Sequence, residues 1–329
     1  GTLFPYTTLF RSAGRDDRSS MPIRELSLHF AHVLDPYSRF KVNLNFAPWP
    51  DGEADIEEAY ITWFGLIPSL SLTVGRFRAQ FGQINRWHEH ALDQTNYPLA
   101  MQAVLGESGI NQSGVSVKWF MPPWWAHALE LTVEVTDGEN ETLFAGEFFS
   151  VPTALVHLKN YWDLSESTYL ELGLTGMWGV NNRRGYVDPD AATPRLSDED
   201  WRNTVVAGAD LTLHWSPPQQ AKYRSFTWRS EFYYAFKETP DDLIDGERSS
   251  WGAYTYVDYQ LGTRWFTGAR FDAALPTIRT SFDDTDVAWD VVAYATFWQS
   301  EFVYFRLEYQ HGQNIPFLDE GGALGRRTD

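Results

Sequence analysis

Residues 69–121 read SLSLTVGRFRAQFGQINRWHEHALDQTNYPLAMQAVLGESGINQSGVSVKWFM, and this stretch decides how the rest of the chain is organised. It opens and closes with strand-like segments, near 69–81 and 114–121, but roughly thirty residues lie between them. Connections between elements are usually about two to six residues long, and a much longer one usually has a function. The stretch therefore predicts a long functional loop among paired strands.

Composition excludes several classes of protein. The chain has 329 residues, 16% of them aromatic, with fifteen Trp and no Cys. No run approaches the roughly 18 apolar residues of a membrane helix, which excludes a helical membrane protein. A formal net charge of −18 without any basic cluster argues against a nucleic-acid partner. The lack of Cys fits a chain that crosses an oxidising periplasm, although many cytosolic proteins also lack Cys.

Apolar and polar residues alternate almost throughout the chain. In TVVAGADLTLHW, Val205, Ala207 and Leu211 share one face, while Asp210 and Thr212 share the other. About fourteen such strands are predicted, and about ten residues is the length of a tilted membrane-spanning strand. They lie near 25–33, 38–48, 56–65, 69–81, 114–121, 126–137, 152–162, 167–179, 203–216, 223–237, 251–261, 263–273, 286–297 and 300–311.

The connections alternate in length. Short ones such as LIPS, LSES, LGTR and WQSE are separated by connections that are mostly long and acidic or rich in Gly, and tryptophans lie near both kinds. Short periplasmic turns, long external loops and two aromatic girdles are typical of outer-membrane barrels. A closed barrel of fourteen or more strands has a lumen too wide for side chains to fill, so its apolar face must contact lipid. A soluble sandwich or propeller is the alternative.

The predicted fold class is therefore all-β: a transmembrane antiparallel up-and-down β-barrel in the bacterial outer membrane. Residues 21–329 form this single domain, and 1–20 are an artefact and disordered lead, because TLFPYTTLFRS at 2–12 resembles a translated sequencing adapter. With the short turns periplasmic, one strand is missing at each end, so about fourteen of a probable sixteen are visible. We expect no ladder between the strands near 25–33 and 300–311.

The residues also support a family resemblance. DIEEAYITW, followed by LTVGRFRAQFGQINRWHEHALDQTNYPLAMQAVLGESGINQSGVSVKW, resembles the central region of zinc-regulated outer-membrane receptor-like porins, which are similar to phosphate-selective O/P-type porins. ELSLHFAHVLDPYSRFKVNLNFA resembles their early strand pair. The resemblance implies an outer-membrane channel for small solutes or ions that is linked to zinc supply. The alternatives are the barrel of a TonB-dependent metal receptor and an adhesin or structural barrel.

The polar face of the strands would line the lumen. The predicted lining or constriction set is Arg76, Arg78, Lys118, Glu58, Arg229, Glu231, Arg270, Arg306 and Glu308. A selective filter needs one sign of charge at the constriction, and Arg76 and Arg78 beside the long loop are the best such group. They share the parity of lipid-facing Leu72 and Val74, so we predict a bulge near Gly75 that turns both into the lumen. Cross-strand charge ladders are the alternative role for the lining residues.

The long loop is predicted to enter the lumen over residues 83–113 and to narrow it, with Arg76, Arg78 and Lys118 nearby. PLAMQAVLG has the composition of a short helix, and Gly106, Gly109 and Gly114 permit tight returns. An external loop that covers the barrel mouth is the alternative.

RWHEHALD supplies a candidate metal site at His88, Glu89, His90 and Asp93, with zinc as the candidate cofactor. Imidazole and carboxylate groups suit zinc, and His-x-His in an extended segment places both rings on one side. The alternative is hydrogen bonding between the loop and the wall. Catalytic motifs such as a nucleophile elbow or a Walker loop are absent, so no catalytic residue is predicted and we expect no enzyme. Membrane lipid, lipopolysaccharide and small solutes or ions are the expected partners, and a homo-oligomer is left open.

Overall fold

The computed structural model describes residues 2–8, 25–46, 54–140, 142–144, 151–182, 201–238, 246–279, 285–318 and 324–327. Within these ranges one antiparallel sheet runs through fifteen strands in chain order, and a separate hairpin joins β16 to β17. The strands are β1 Thr2–Thr8, β2 Glu25–Asp35, β3 Ser38–Phe46, β4 Ala54–Ile67, β5 Leu70–Arg78, β6 Asn111–Met121, β7 Ala128–Thr136, β8 Thr153–Ser165, β9 Thr168–Asn181, β10 Arg202–Trp215, β11 Phe226–Glu238, β12 Glu247–Gln260, β13 Trp265–Leu275, β14 Ala288–Trp298, β15 Tyr304–Gln313, β16 Ile315–Leu318 and β17 Leu324–Arg327.

The fourteen predicted strands correspond one to one with β2–β15, and the antiparallel up-and-down order is confirmed. Burial also confirms which face points inward. On β10, Thr204 and Val206 are buried while Val205 between them is 45% exposed. On β15, Leu307 is 79% exposed, as expected for an apolar face that looks away from the interior. No helix among the described residues is long and apolar enough to cross a membrane.

The sheet formed by the described residues begins at β1 and ends at β15. As predicted, no ladder pairs β15 with β2 among the described residues. The expectation of a disordered lead differs from the structure at Thr2–Thr8, which pairs with Glu25–Ala31. The rest of residues 1–20 lies outside the described ranges. Thr2–Thr8 pairs with β2 because an unpaired strand edge offers a row of backbone donors and acceptors, and a short extended segment nearby can pair with it.

The interior holds an apolar core as well as the expected polar groups. The predicted helix is present as α1, Leu99–Leu105, and Gly106 ends it with a φ of 104°. Phe81, Ile84 and Met101 of the loop are fully buried. They form one cluster with inward residues of the wall such as Val206 and Tyr233. The apolar residues of the loop and of the wall thus bury each other.

The predicted bulge near Gly75 is wrong. Strand β5 pairs without a register shift from Leu70 to Arg78 on its β6 side. The shift lies on β4, where Glu58 pairs with Asn43 but Ile56 pairs with Leu44, so Glu57 is the extra residue. Glycine is needed at position 75 because the backbone of β4 lies very close: a Cβ there would lie 2.2 Å from the carbonyl oxygen of Ala59. The bulge turns two consecutive carboxylates, Glu57 and Glu58, towards the interior, where both are buried.

Candidate functional site

The long loop was predicted over 83–113; in the structure it covers residues 79–110, because 111–113 belong to β6, and it lies inside the barrel. Glu231 on β11 fixes its first turn: the backbone N–H groups of Gln83 and Ile84 donate to Glu231 Oε1 at 3.1 and 2.8 Å. The hydroxyl groups of Tyr233 and Tyr254 donate to the same carboxylate at 2.7 Å each. The buried carboxylate therefore has four donors, two from the loop and two from the wall.

Further anchors follow the loop around the barrel. The N–H of Thr95 donates to Glu308 on β15 at 2.8 Å, and the N–H of Ala100 donates to Asp272 on β13 at 3.2 Å. Arg270 donates to the carbonyl oxygen of Asn96 at 3.1 Å. Helix α1 also packs against β12 and β13. The loop thus contacts wall strands on the far side of the barrel from its own ends.

Four members of the predicted lining set therefore have a different role. Glu58, Glu231 and Arg270 do point inward, but they are buried under the loop, and Glu308 is half-buried against it. The prediction that these residues line open water is therefore wrong for Glu58, Glu231 and Arg270, which are buried. The reason is that a loop packed inside the lumen must satisfy its own backbone donors and acceptors, and the charged groups of the wall are the partners within reach.

Arg76 and Arg78 do not form a paired cationic filter. Arg76 makes two hydrogen bonds with Glu139, and its side chain is 26% exposed. Arg78 is buried and donates from Nη2 to Glu57 Oε1 at 2.7 Å. It also donates to the carbonyl oxygen of Ser108 at 2.9 Å. Without the predicted bulge the two side chains separate, and each is neutralised by a carboxylate.

Lys118 forms a cross-strand pair rather than a free charge. Its Nζ lies 2.7 Å from Glu130 Oε1 on the neighbouring strand β7. Lys159 on β8 repeats the arrangement with Glu171 on β9 at 2.9 Å. This part of the wall therefore carries the charge ladder that was the alternative prediction.

His88 of the loop contacts both carboxylates at the bulge of β4. Its Nδ1 lies 2.8 Å from Glu57 Oε2, and its Nε2 lies 2.8 Å from Glu58 Oε2. Burial alone would lower the pKa of His88, but the two carboxylates outweigh burial and raise that pKa above its ordinary value. Lys41 donates to Glu58 at 2.6 Å. His88 thus lies between two carboxylates.

His90 lies beside His88 with the opposite electrostatics. Their ring centroids are 5.4 Å apart and nearly parallel, and the ring of His29 on β2 lies 4.9 Å from that of His90. Burial, followed by the positive charges on His88 and His29, lowers the pKa of His90 to about 4. His90 is therefore neutral at neutral pH.

The four predicted metal ligands do not converge. The backbone over Glu89–Ala91 is a short 3-10 turn rather than the extended segment expected for His-x-His. Asp93 faces elsewhere, since it accepts hydrogen bonds from Arg229 at 3.1 Å and Tyr256 at 2.9 Å. The described part of the chain has no group of three or more His, Cys, Asp or Glu side chains that could hold a metal ion. His88 and Asp93 instead form contacts between the loop and the wall, which was the alternative prediction.

Sequence reasoning missed three partners that the wall gives to this network, namely His29, Asn43 and Glu57. His29 and Asn43 have a recognisable signal, because they occupy polar positions in the alternation of β2 and β3. Glu57 had none, since only the bulge turns it inward. Register, which sets these contacts, cannot be read from one strand alone.

A cavity of about 860 Å³ lies between the loop and the short-turn end of the barrel. Arg229 lines the cavity, and its guanidinium carbon lies 4.5 Å from the ring centroid of Trp87 in the loop. Arg306 donates to Thr296 at 3.0 Å and lies 5.0 Å from the ring of Tyr304. Arg229 and Arg306, two members of the predicted lining set, both lie on the wall of this interior space.

Comparisons with known proteins place the chain by its fold. No family model matches it. An uncharacterized protein of Aquifex aeolicus (strain VF5) is 28% identical in an alignment 326 positions long that covers 90% of this chain, and the chain spans only 65% of that relative's length.

Solved structures that share the fold include an outer-membrane protein and a porin. OprB of Pseudomonas putida superposes with a TM-score of 0.62 at 11% identity, covering 98% of this chain and 88% of that one. The trimer form of OmpT of Vibrio cholerae gives 0.58 at 9% identity, covering 99% and 95%. The anion-selective porin of Comamonas acidovorans gives 0.57 at 11% identity, covering 99% and 93%. The fold is that of a porin barrel.

Proposed function

We propose that this chain is the barrel of a channel in the bacterial outer membrane that passes small solutes or ions and is narrowed by loop 79–110. The observation that carries the proposal is the loop itself, because it lies inside the barrel and is bonded to wall strands as far apart as β4 and β15. A loop held in this way sets the width of the passage.

Two further observations support a channel. The outward face is apolar, with Val205, Phe232, Val291 and Leu307 all exposed, as contact with lipid and the lipid part of lipopolysaccharide requires. The interior carries the charged groups and the cavity. The solved relatives that share the fold include porins and, in Acinetobacter baumannii, an outer-membrane channel named DcaP. A non-enzymatic role and homo-oligomers belong to the proposal, and OmpT of Vibrio cholerae has been solved in a trimer form.

A link to zinc supply rests on the sequence resemblance alone. The predicted ligands do not converge, so the proposal here covers small solutes and ions in general. A TonB-dependent receptor and an adhesin are supported by no specific contact among the described residues.

Conductance tests the proposal. The purified, refolded protein in planar lipid bilayers should produce discrete current steps in potassium chloride. A receptor or adhesin barrel without an open path would insert into lipid and give no steps. Heat-modifiable migration on gels shows in the same sample that the barrel has folded, which separates a closed barrel from an unfolded one.

A further inference from the structure

The cavity at the short-turn end contains more basic than acidic side chains, whereas the whole chain contains more acidic ones. The whole sequence has 44 acidic residues and 26 Lys and Arg. The cavity is lined by four arginines, Arg86, Arg229, Arg264 and Arg306, and by three acidic residues. The arginines exceed the acidic residues by one, and a cleft with a net charge concentrates ligands of the opposite sign. The interior space therefore favours anions more than the surface of the molecule does.

Among the described residues, three of the four arginines have no carboxylate within ion-pair distance, although Asp258 interacts electrostatically with Arg306. Arg229 is paired with Asp93 at 3.1 Å, whereas Arg306 donates only to the hydroxyl group of Thr296. Neither Arg86 nor Arg264 makes an ion pair or side-chain hydrogen bond with any described residue, although both line the cavity.

The two remaining acidic residues of the cavity, Asp258 and Glu301, form no ion pair with its arginines within the described part of the chain. Asp258 accepts a hydrogen bond from Tyr294 at 2.8 Å. Glu301 lies exposed in the turn before β15. The guanidinium groups of Arg86, Arg264 and Arg306 are thus the groups that an incoming anion would meet.

Aromatic side chains line the same cavity at positions where the alternation of the strands leads one to expect polar residues. Phe266 on β13 and Trp298 on β14 lie on the inward face and are half-buried. Neither belongs to the apolar clusters of the interior, and Trp298 stacks only with Tyr304, at 4.8 Å between ring centroids. An apolar ring that faces a water-filled cavity gains free energy when an apolar part of a ligand covers it.

We infer that this cavity binds a small organic anion with a planar apolar ring, of the aromatic carboxylate class, and that such anions are among the solutes of the channel. The carboxylate would bind Arg264 and Arg306, and the ring would contact Phe266 and Trp298. A volume of about 860 Å³ lies within the roughly 300–1,000 Å³ of ligand sites in general. This inference deepens the proposed function and rests on it for the role of the site in transport.

Benzoate is the probe for the test, with inorganic phosphate as an anion without a ring and benzyl alcohol as a ring without a charge. The refolded protein in detergent is titrated with each, and binding is followed by tryptophan fluorescence and calorimetry. Benzoate should bind at least about tenfold more tightly than either comparator, since each lacks one of the two interactions. Equal affinity for benzoate and benzyl alcohol would overturn the inference, and so would equal affinity for benzoate and phosphate.

Variants assign the binding to this cavity. Arg264→Gln and Arg306→Gln should each weaken benzoate binding about tenfold, the worth of one charge-assisted contact. Glu301→Gln removes a competing negative charge and should strengthen binding severalfold, which a misfolded variant could not do. Arg39→Gln, at an exposed position outside the cavity, is the matched control and should change nothing. Unchanged affinity in all three cavity variants would overturn the inference.

Conductance in potassium chloride separates this inference from the proposed function. Current steps without benzoate binding would overturn the ligand site and leave the channel. Benzoate binding without current steps would overturn the channel and leave a binding site.

Discussion

The carboxylate of Glu231 on β11 accepts a hydrogen bond of 2.8 Å from the backbone N–H of Ile84, which is 147 positions earlier in the chain. This contact joins the loop to the wall opposite its root. It also explains why an acidic side chain occupies a fully buried position in a barrel of net negative charge: the loop supplies donors that would otherwise be unsatisfied.

Glu231→Ala should therefore destabilise the protein by about 3 kcal/mol, because four buried donors lose their acceptor. Glu171→Ala is the matched control. Its carboxylate pairs with half-buried Lys159 and has no recorded contact with the loop, so it should cost less than about 1 kcal/mol. Urea titrations in lipid vesicles measure both free energies of unfolding. Equal losses in the two variants would show that Glu231 does not anchor the loop.

The orientation of the strands has a separate test. Val291 on β14 is 41% exposed on the outward face, and Val291→Arg should cost about 2–4 kcal/mol if it contacts lipid near the midplane. Thr227→Arg places the same group on the wall of the interior cavity instead of in lipid, and should cost clearly less. Leu211→Arg should behave like Val291→Arg. Equal costs at inward and outward positions would mean that the faces are inverted.

His90 should make the stability fall as the pH falls. The unfolded chain binds a proton at this residue near pH 6.5, but the folded protein does so only near its pKa of about 4. Between these values the unfolded state binds more protons, so the free energy of unfolding decreases with decreasing pH. The contribution between pH 7 and pH 5 should be about 1–2 kcal/mol.

The variant His90→Asn removes this contribution and should lose less stability than the wild type between pH 7 and pH 5. His127→Asn, at an exposed histidine outside the loop, should keep the pH dependence of the wild type. His88 has the opposite sign, because its raised pKa gives stability that is present at low pH and is lost as the pH rises through that pKa. If His90→Asn and the wild type lose the same stability, His90 is not buried in its neutral form.

Zinc binding at His88, Glu89, His90 and Asp93 stays a prediction from the sequence. Because both nitrogens of His88 lie 2.8 Å from carboxylate oxygens, and Asp93 is bonded to Arg229, we expect no specific zinc binding by this set. Calorimetry near pH 7 compares the wild type with the double variant His88→Ala, His90→Ala. A heat of binding that is present in the wild type and lost in the double variant, and that weakens below pH ~6.5, would restore the zinc site.

Much of the fold could be predicted because its signals are local. Period-two alternation predicts each strand, and the same parity predicts that Val205 faces outward and Thr204 inward, as the structure shows. The long connection and the helical composition of PLAMQAVLG likewise predicted a loop with a helix, and α1 is present.

The site was harder to predict because its contacts depend on register. One extra residue on β4 turns Glu57 inward, and no feature of DIEEAY marks it as a bulge. Arg76 and Arg78, two positions apart, appeared to share a face, but Arg78 is drawn to Glu57 and Arg76 to Glu139. The roles of Glu231 and Glu308 depend on loop residues more than a hundred positions away, which no local pattern encodes.

Single-channel conductance after deletion of Asp93–Leu105 tests the central claim most directly. This segment includes α1 and the bond to Glu308, and a short Gly-Ser linker would replace it. If the loop narrows the lumen, the conductance in potassium chloride should rise severalfold while the barrel still migrates as a folded species on gels. A folded deletion variant with unchanged conductance would place the loop outside the conducting path and contradict the account.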